Sequence, residues 1–274
     1  MMLAEALSIG EREVISLVGG GGKTALMYAL GRELSPDGRG VILTTTTKIL
    51  EPEPSPFFVQ FLSRKFDEIR KWVAENIHGR SSLLIVRERL LSGKLEGVPP
   101  EWVDELYPMD GVSIIVNEAD GAAGRPLKAP REGEPVVPES TTLLVPVIGI
   151  DGMGRPLDEE WVFRSAIASR LLDLPLGSVV TEEVIARLMA ELIKSSPPGA
   201  RVVPVINQTD LLGGLEKAQR LAQHLLSADS SRVRRVLLCQ LQHVPVVRAV
   251  VPDLVFPVRP FPNDSDQILI ETHN

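Results

Sequence analysis

The sequence is short of several things that would narrow its role early. It holds one cysteine, Cys239, so no intramolecular disulfide can form. A reducing compartment is the simpler setting, and Cys239 itself, in an apolar run, reads as core. Aromatics make up only 4% of the chain, so the core must be built from aliphatic runs such as residues 143–148 and 202–206. No apolar run reaches the length of a membrane span. Glu5, Glu11 and Glu13 make the N-terminal stretch unlike a signal peptide. A cytoplasmic protein with no membrane partner is the expectation. Clustered positive charge is missing as well. The formal net charge is −7, and the densest basic group, Arg232, Arg234 and Arg235, reads as a solvated approach to a strand. Nucleic acid is therefore not an expected partner. His78, His224, His243 and His273 show no metal-ligand spacing, and no Ser/His/Asp arrangement can be argued.

What is present is an alternation of strand-like and helix-like segments, the pattern of a mainly parallel sheet covered by helices on both faces. Strands are expected at about residues 14–18, 41–45, 82–86, 112–116, 143–148, 202–206 and 236–239. Helices are expected at about 23–34, 58–76, 159–172, 181–193 and 215–226, with another opening at Pro99 and Pro100. Leu26, Leu30 and Leu34 mark one face of the first long helix. Thr181 before Glu182 and Glu183 is a good helix start. Residues 119–138, with four prolines, read as a loop too long to be a mere connector. The tail from Pro252 reads as irregular. No linker divides the chain, so residues 1–274 are read as one domain with a decorated second half.

The first strand runs into Gly19, Gly20, Gly21 and Gly22, then Lys23, Thr24 and a helix. Glycines let backbone N–H groups turn to one point, and a helix N-terminus adds its positive end, so this turn suits a phosphate. Lys23 is placed to reach the β/γ-phosphates and Thr24 to ligate Mg²⁺. The usual spacing would put a first glycine at Leu17, so the loop is shorter by about two residues.

Further candidates sit at the ends of other strands, where open α/β sheets bind ligands. Thr46, Thr47 and Lys48 follow the second strand. Glu118 and Asp120, followed by Gly121, are alternative metal carboxylates. Arg125 and Lys128 lie in a proline-stiffened loop and are candidates to clamp an anion. Asp151 is either catalytic or a turn former. Asn207 to Asp210 resembles the Asn-Lys-x-Asp element that recognises guanine, with Gln208 in place of the lysine. Its Asp210 carboxylate suits the two N–H donors of guanine and not adenine.

Taken in order, the glycine turn, the threonine run ending at Lys48, the Glu118 to Lys128 loop and the Asn207 to Asp210 element resemble the YqeC family. That family is described as accessory to selenium-dependent molybdenum hydroxylases. The resemblance implies a P-loop NTPase-like three-layer α/β fold and a part in maturing such an enzyme or its cofactor. The residues read as a Mg²⁺-dependent nucleotide-binding protein, GTP favoured over ATP. The expected activity is that of a nucleoside triphosphatase, with Lys23, Glu118, Asp120, Arg125 and Lys128 as the catalytic candidates. Two other readings stand beside it. One is a small-molecule kinase or transferase of the same class; the other is a nucleotide-dependent carrier or scaffold with little turnover. Oligomeric state is open.

Overall fold

A computed structural model of the chain describes residues 1–229, 231–244 and 246–252. Its main sheet is made of β1 (Glu13–Gly19), β2 (Val41–Thr45), β3 (Phe58–Leu62), β4 (Ser82–Val86), β5 (Ile114–Glu118), β6 (Leu143–Gly149), β7 (Val205–Asn207), β8 (Arg235–Cys239) and β9 (Val247–Pro252). Their order across the sheet is β9-β8-β7-β6-β1-β5-β2-β4-β3, with the short strand Arg201–Val202 also paired to β6. Every pair is parallel except β8 with β9. Strands buried on both faces explain why the runs are nearly all Val, Ile and Leu.

Alternation along β1 splits the core. Ile15 and Leu17 pack with Leu3 and Leu7 of α1 (Leu3–Leu7) and with Leu26, Met27 and Leu30 of α2 (Lys23–Leu34). Val14 and Val18 point to the opposite face. There α3 (Phe66–Asn76) and α4 (Pro100–Leu106) cover one half of the sheet. The other half is covered by α5 (Ser165–Leu172), α6 (Glu182–Ile193) and α7 (Gly214–Ala228). This is the three-layer α/β arrangement expected from the alternation. No helix of the described residues is long and apolar enough to cross a membrane.

Several expected elements differ. The segment 58–76 is not one helix. Phe58–Leu62 is the edge strand β3 and α3 begins only at Phe66; Phe61 stacks on Trp72 at 4.7 Å and ties the two together. The helix expected over 159–172 starts at Ser165. Glu159 Oε1 accepts from the Ser165 amide and hydroxyl, while Val162–Phe163 pairs with Leu127–Lys128. Pro204 lacks an amide donor and splits the strand at 202–206. The strand expected at 112–116 lies two residues later, so Asn117 and Glu118 end β5 itself. Pro252 closes β9, and the tail beyond it lies outside the described residues.

A small antiparallel sheet stands beyond the carboxyl ends of β2 and β4. Its strands are Lys48–Leu50, Lys94–Glu96 and Glu88–Arg89. We call it the wing.

Candidate functional site

The glycine turn sits at the carboxyl end of β1, between β5 and β6. Three of its amides are already used. Gly19 N–H donates to both carboxylate oxygens of Asp120 at 3.0 Å. Gly20 N–H donates to Val147 O and Gly21 N–H to Arg125 O. The close backbone approach explains the glycines: a Cβ on Gly21 would lie 2.1 Å from the Gly149 nitrogen, and Gly21 has a φ of +66°. The four glycine amides therefore do not converge on one point. Among the described residues, it is the amides of Gly22, Lys23, Thr24 and Ala25 that take no hydrogen bond. They form the first turn of α2, where no side chain caps the helix.

Two carboxylates flank this turn with different environments. Glu118 shares strand parity with Ile114 and Val116, which face α2. Thr24 Oγ1 donates to its Oε2 at 2.6 Å, and Lys23 Nζ lies 3.8 Å from Oε1. Burial pushes the Glu118 carboxyl up, against the pull of Lys23 and the Thr24 hydrogen bond. Asp120 is 1% exposed and is enclosed by Gly19 N–H, Lys23 Nζ at 3.2 Å and Lys128 Nζ at 3.1 Å. Lys23 also donates to Gly19 O at 2.5 Å.

The buried chain continues outward. Lys128, whose side chain is fully buried, donates to Gly121 O and Glu134 Oε2 as well as meeting Asp120. Glu134 is held by Arg164 and Arg131 in turn. Burial alone would raise the Glu134 carboxyl; the hydrogen bonds from Arg164 and Lys128 prevail and lower it to about 2.

A groove of about 1370 Å³ runs over the turn. Its lining follows the strands in sheet order: Leu241 and His243 after β8, Asn207, Gln208 and Asp210 at the end of β7, and Asp151 after β6. Gly21 to Ala25 follow β1, Glu118 and Gly121 follow β5, Thr46 to Lys48 follow β2 and Arg87 follows β4. Thr46 donates its hydroxyl to Val136 O; Thr47 hydroxyl has no partner among the described residues. Lys48 is exposed on the wing. Asn207 joins two loops, donating to Gly21 O at 2.8 Å and accepting from Leu241 N–H at 3.0 Å. Asp210 lies 3.5 Å from His243. Gln208 is left-handed, with φ +66°, and its side-chain amide donates to Asp151 at 3.2 Å, both residues lining the groove. Burial pushes the Asp151 carboxyl up.

The sequence candidates thus separate. Thr24, Glu118, Thr47, Gly121, Asn207 and Asp210 come together along the groove with Gly21, Gly22 and Lys23. Asp120 and Lys128 do not line it; their polar atoms are consumed below it, so direct roles as metal ligand and anion clamp do not fit this arrangement. Arg125 lines the groove, yet its guanidinium donates to Glu159 O and Ala123 O. Gly19 and Gly20 shape the turn from beneath. Leu241, His243 and Glu134 were invisible to sequence reasoning. Gln240 to His243 matches no motif, and only its place after a strand hinted at a site.

Sheet order, layers and glycine turn place the protein in the P-loop-like class of three-layer α/β folds. Within that class the chain belongs to the YqeC family: the family described as YqeC protein matches residues 15–166. A protein of Escherichia coli (strain K12), named "Uncharacterized protein YqeC", is 32% identical over 222 residues, covering 78% of this chain and 85% of that one. The family match holds the glycine turn, the wing and the buried chain out to Arg164, and stops before Asn207.

Proposed function

We propose that the groove binds a nucleoside triphosphate with Mg²⁺, GTP in preference to ATP, and that the protein hydrolyses it. The observation that carries this reading is the unpartnered first turn of α2 beside the Thr24–Glu118 pair. Four free amides at the positive end of a 12-residue helix suit phosphate oxygens. A hydroxyl and a carboxylate 2.6 Å apart fit the partial protein shell that Mg²⁺ uses when phosphates complete it. Thr24 and Glu118 would hold that ion, which supplies charge neutralisation on the phosphates when bound. Lys23 adds positive charge at the same turn, and Asp120 positions Lys23 from beneath.

Guanine is favoured by Asp210, an acceptor-only group in the groove near Leu241 and His243. Asn207 fixes that end to the turn, so base and phosphates would be held in register. The biological setting we propose, on the family resemblance, is maturation of a selenium-dependent molybdenum hydroxylase or its cofactor.

Calorimetric titration with GTP, ATP, GDP and ADP, with and without Mg²⁺, tests both parts. The expected outcome is Mg²⁺-strengthened binding of the triphosphates, with Asp210→Ala weakening GTP much more than ATP. No nucleotide binding at millimolar concentration would remove the reading. Equal losses for both bases would remove the guanine preference alone.

A further inference from the structure

The groove is longer than one nucleotide needs. It crosses the carboxyl ends of seven strands, from β8 to β4; at about 4.8 Å per strand its path is roughly 29 Å. Its volume, about 1370 Å³, also exceeds the roughly 300–1,000 Å³ of ordinary small-molecule sites. With the base at the β7–β8 end and phosphates at β1, the terminal phosphate faces Thr24 and Glu118 at β5. The ends of β2 and β4, about 10 Å of groove, are then left over.

The two ends differ in charge. Asp151 and Asp210 stand at one, Lys48, Arg87 and Lys94 at the other. Other cations along the groove are engaged: Lys23 with Asp120, Arg131 and Arg164 with Glu134, Arg125 with two carbonyls. Lys48, Arg87 and Lys94 are exposed and make no side-chain hydrogen bond or ion pair among the described residues. Lys48 and Lys94 share one face of the wing, since Lys48 registers with Glu96 and Lys94 with Leu50. Glu96 stands opposite Lys48 on the same face and also registers with Glu88, which pairs with Arg64.

We propose that the wing end of the groove is a subsite for the phosphate group of a second, small-molecule substrate, held by Lys48, Arg87 and Lys94 next to the terminal phosphate of the nucleotide. The proposal rests on the nucleotide reading above. It gives the groove a second ligand under the wing, beside the nucleotide whose hydrolysis is proposed above.

The test fills the nucleotide end first, with a non-hydrolysable GTP analogue and Mg²⁺, then titrates glycerol 3-phosphate by calorimetry, with glycerol as the control. Arg87→Ala with Lys94→Ala is the variant; both side chains are exposed, and thermal unfolding checks that the fold is kept. Glycerol 3-phosphate should bind the wild type, and the variant should bind it at least about tenfold more weakly. Affinity for the GTP analogue should stay within about twofold, as neither residue is near the glycine turn. Equal affinity for glycerol 3-phosphate in both proteins, or binding of glycerol as tight as of the ester, overturns the subsite. So does a wild type that takes the analogue and no ester. A wild type that does not bind the analogue removes the nucleotide reading, and this proposal with it.

Discussion

The two sides of the glycine turn are built from the same residue types and serve opposite ends. On the sheet side, Gly19, Gly20 and Gly21 give their amides to Asp120, Val147 and Arg125, and Asp120 sits between two lysines. On the groove side, four amides of α2 are open and Glu118 meets a single hydroxyl and a more distant lysine. A carboxylate and a glycine therefore mean different things two residues apart. Enclosed groups define the shape of the turn; open ones define what it can hold. Substitutions on the first side should show in stability, and on the second in ligand binding.

The sharpest break is Lys128→Met. It removes the ammonium that separates Asp120 from Glu134 and leaves Asp120 with Lys23 as its remaining charged partner. Losing one member of a buried ion pair costs about 3–5 kcal/mol, a fall in Tm on the order of 10 °C for a chain of this size. Thermal unfolding followed by circular dichroism measures it. A variant as stable as the wild type would show that the enclosed side carries no structural load and would return Lys128 to the groove as a clamp.

Thr24→Ala is the counterpart on the open side. The hydroxyl is partly exposed and belongs to no core cluster, so unfolding should move little. The gain in nucleotide affinity on adding Mg²⁺ should fall by about tenfold, the worth of one good charge-assisted ligand. Loss of Tm without any change in the Mg²⁺ effect would reverse the assignment of the two sides.

Much of the frame was legible because local pattern and burial agree. Helix 23–34 and strands 41–45 and 82–86 occur where periodicity and breakers put them, Ser35 and Pro36 ending the helix. Residues 58–62 misled because Phe-Val-Gln-Phe-Leu lies beside a true helix, and an edge strand buries too little to give a clean alternation. The site was legible in its membership and not in its roles. Glu118 and Asp120 look alike in sequence. Strand parity turns Glu118 to α2, whereas Asp120, past the strand end, folds back onto Gly19. Gln208 stands where the guanine-recognition element has a lysine, and the sequence does not show that its left-handed backbone brings its amide to Asp151.

The smallest effect lies at the outer end of the enclosed chain and turns on pH. Glu134 is lowered from 4.5 to about 2 although its burial opposes this, because Arg164 and Lys128 bond its ionised form. Between those two pH values the unfolded chain binds more protons at this residue than the folded one does, so folding stability rises with pH across the window. The contribution is complete above 4.5 and is lost as pH falls towards 2. Solvent reaches part of the cluster and screens it, so the contribution is on the order of 1 kcal/mol. Glu134→Gln removes the titrating group and keeps its shape. The gap in unfolding free energy between wild type and variant should be widest near neutral pH and should narrow as urea melts are taken from pH 5 down to pH 3. A gap that stays constant over that range would mean that Glu134 does not hold its arginine and lysine partners in solution. The enclosed chain would then end at Asp120, and Lys128 would owe its burial to that single partner and the Gly121 carbonyl.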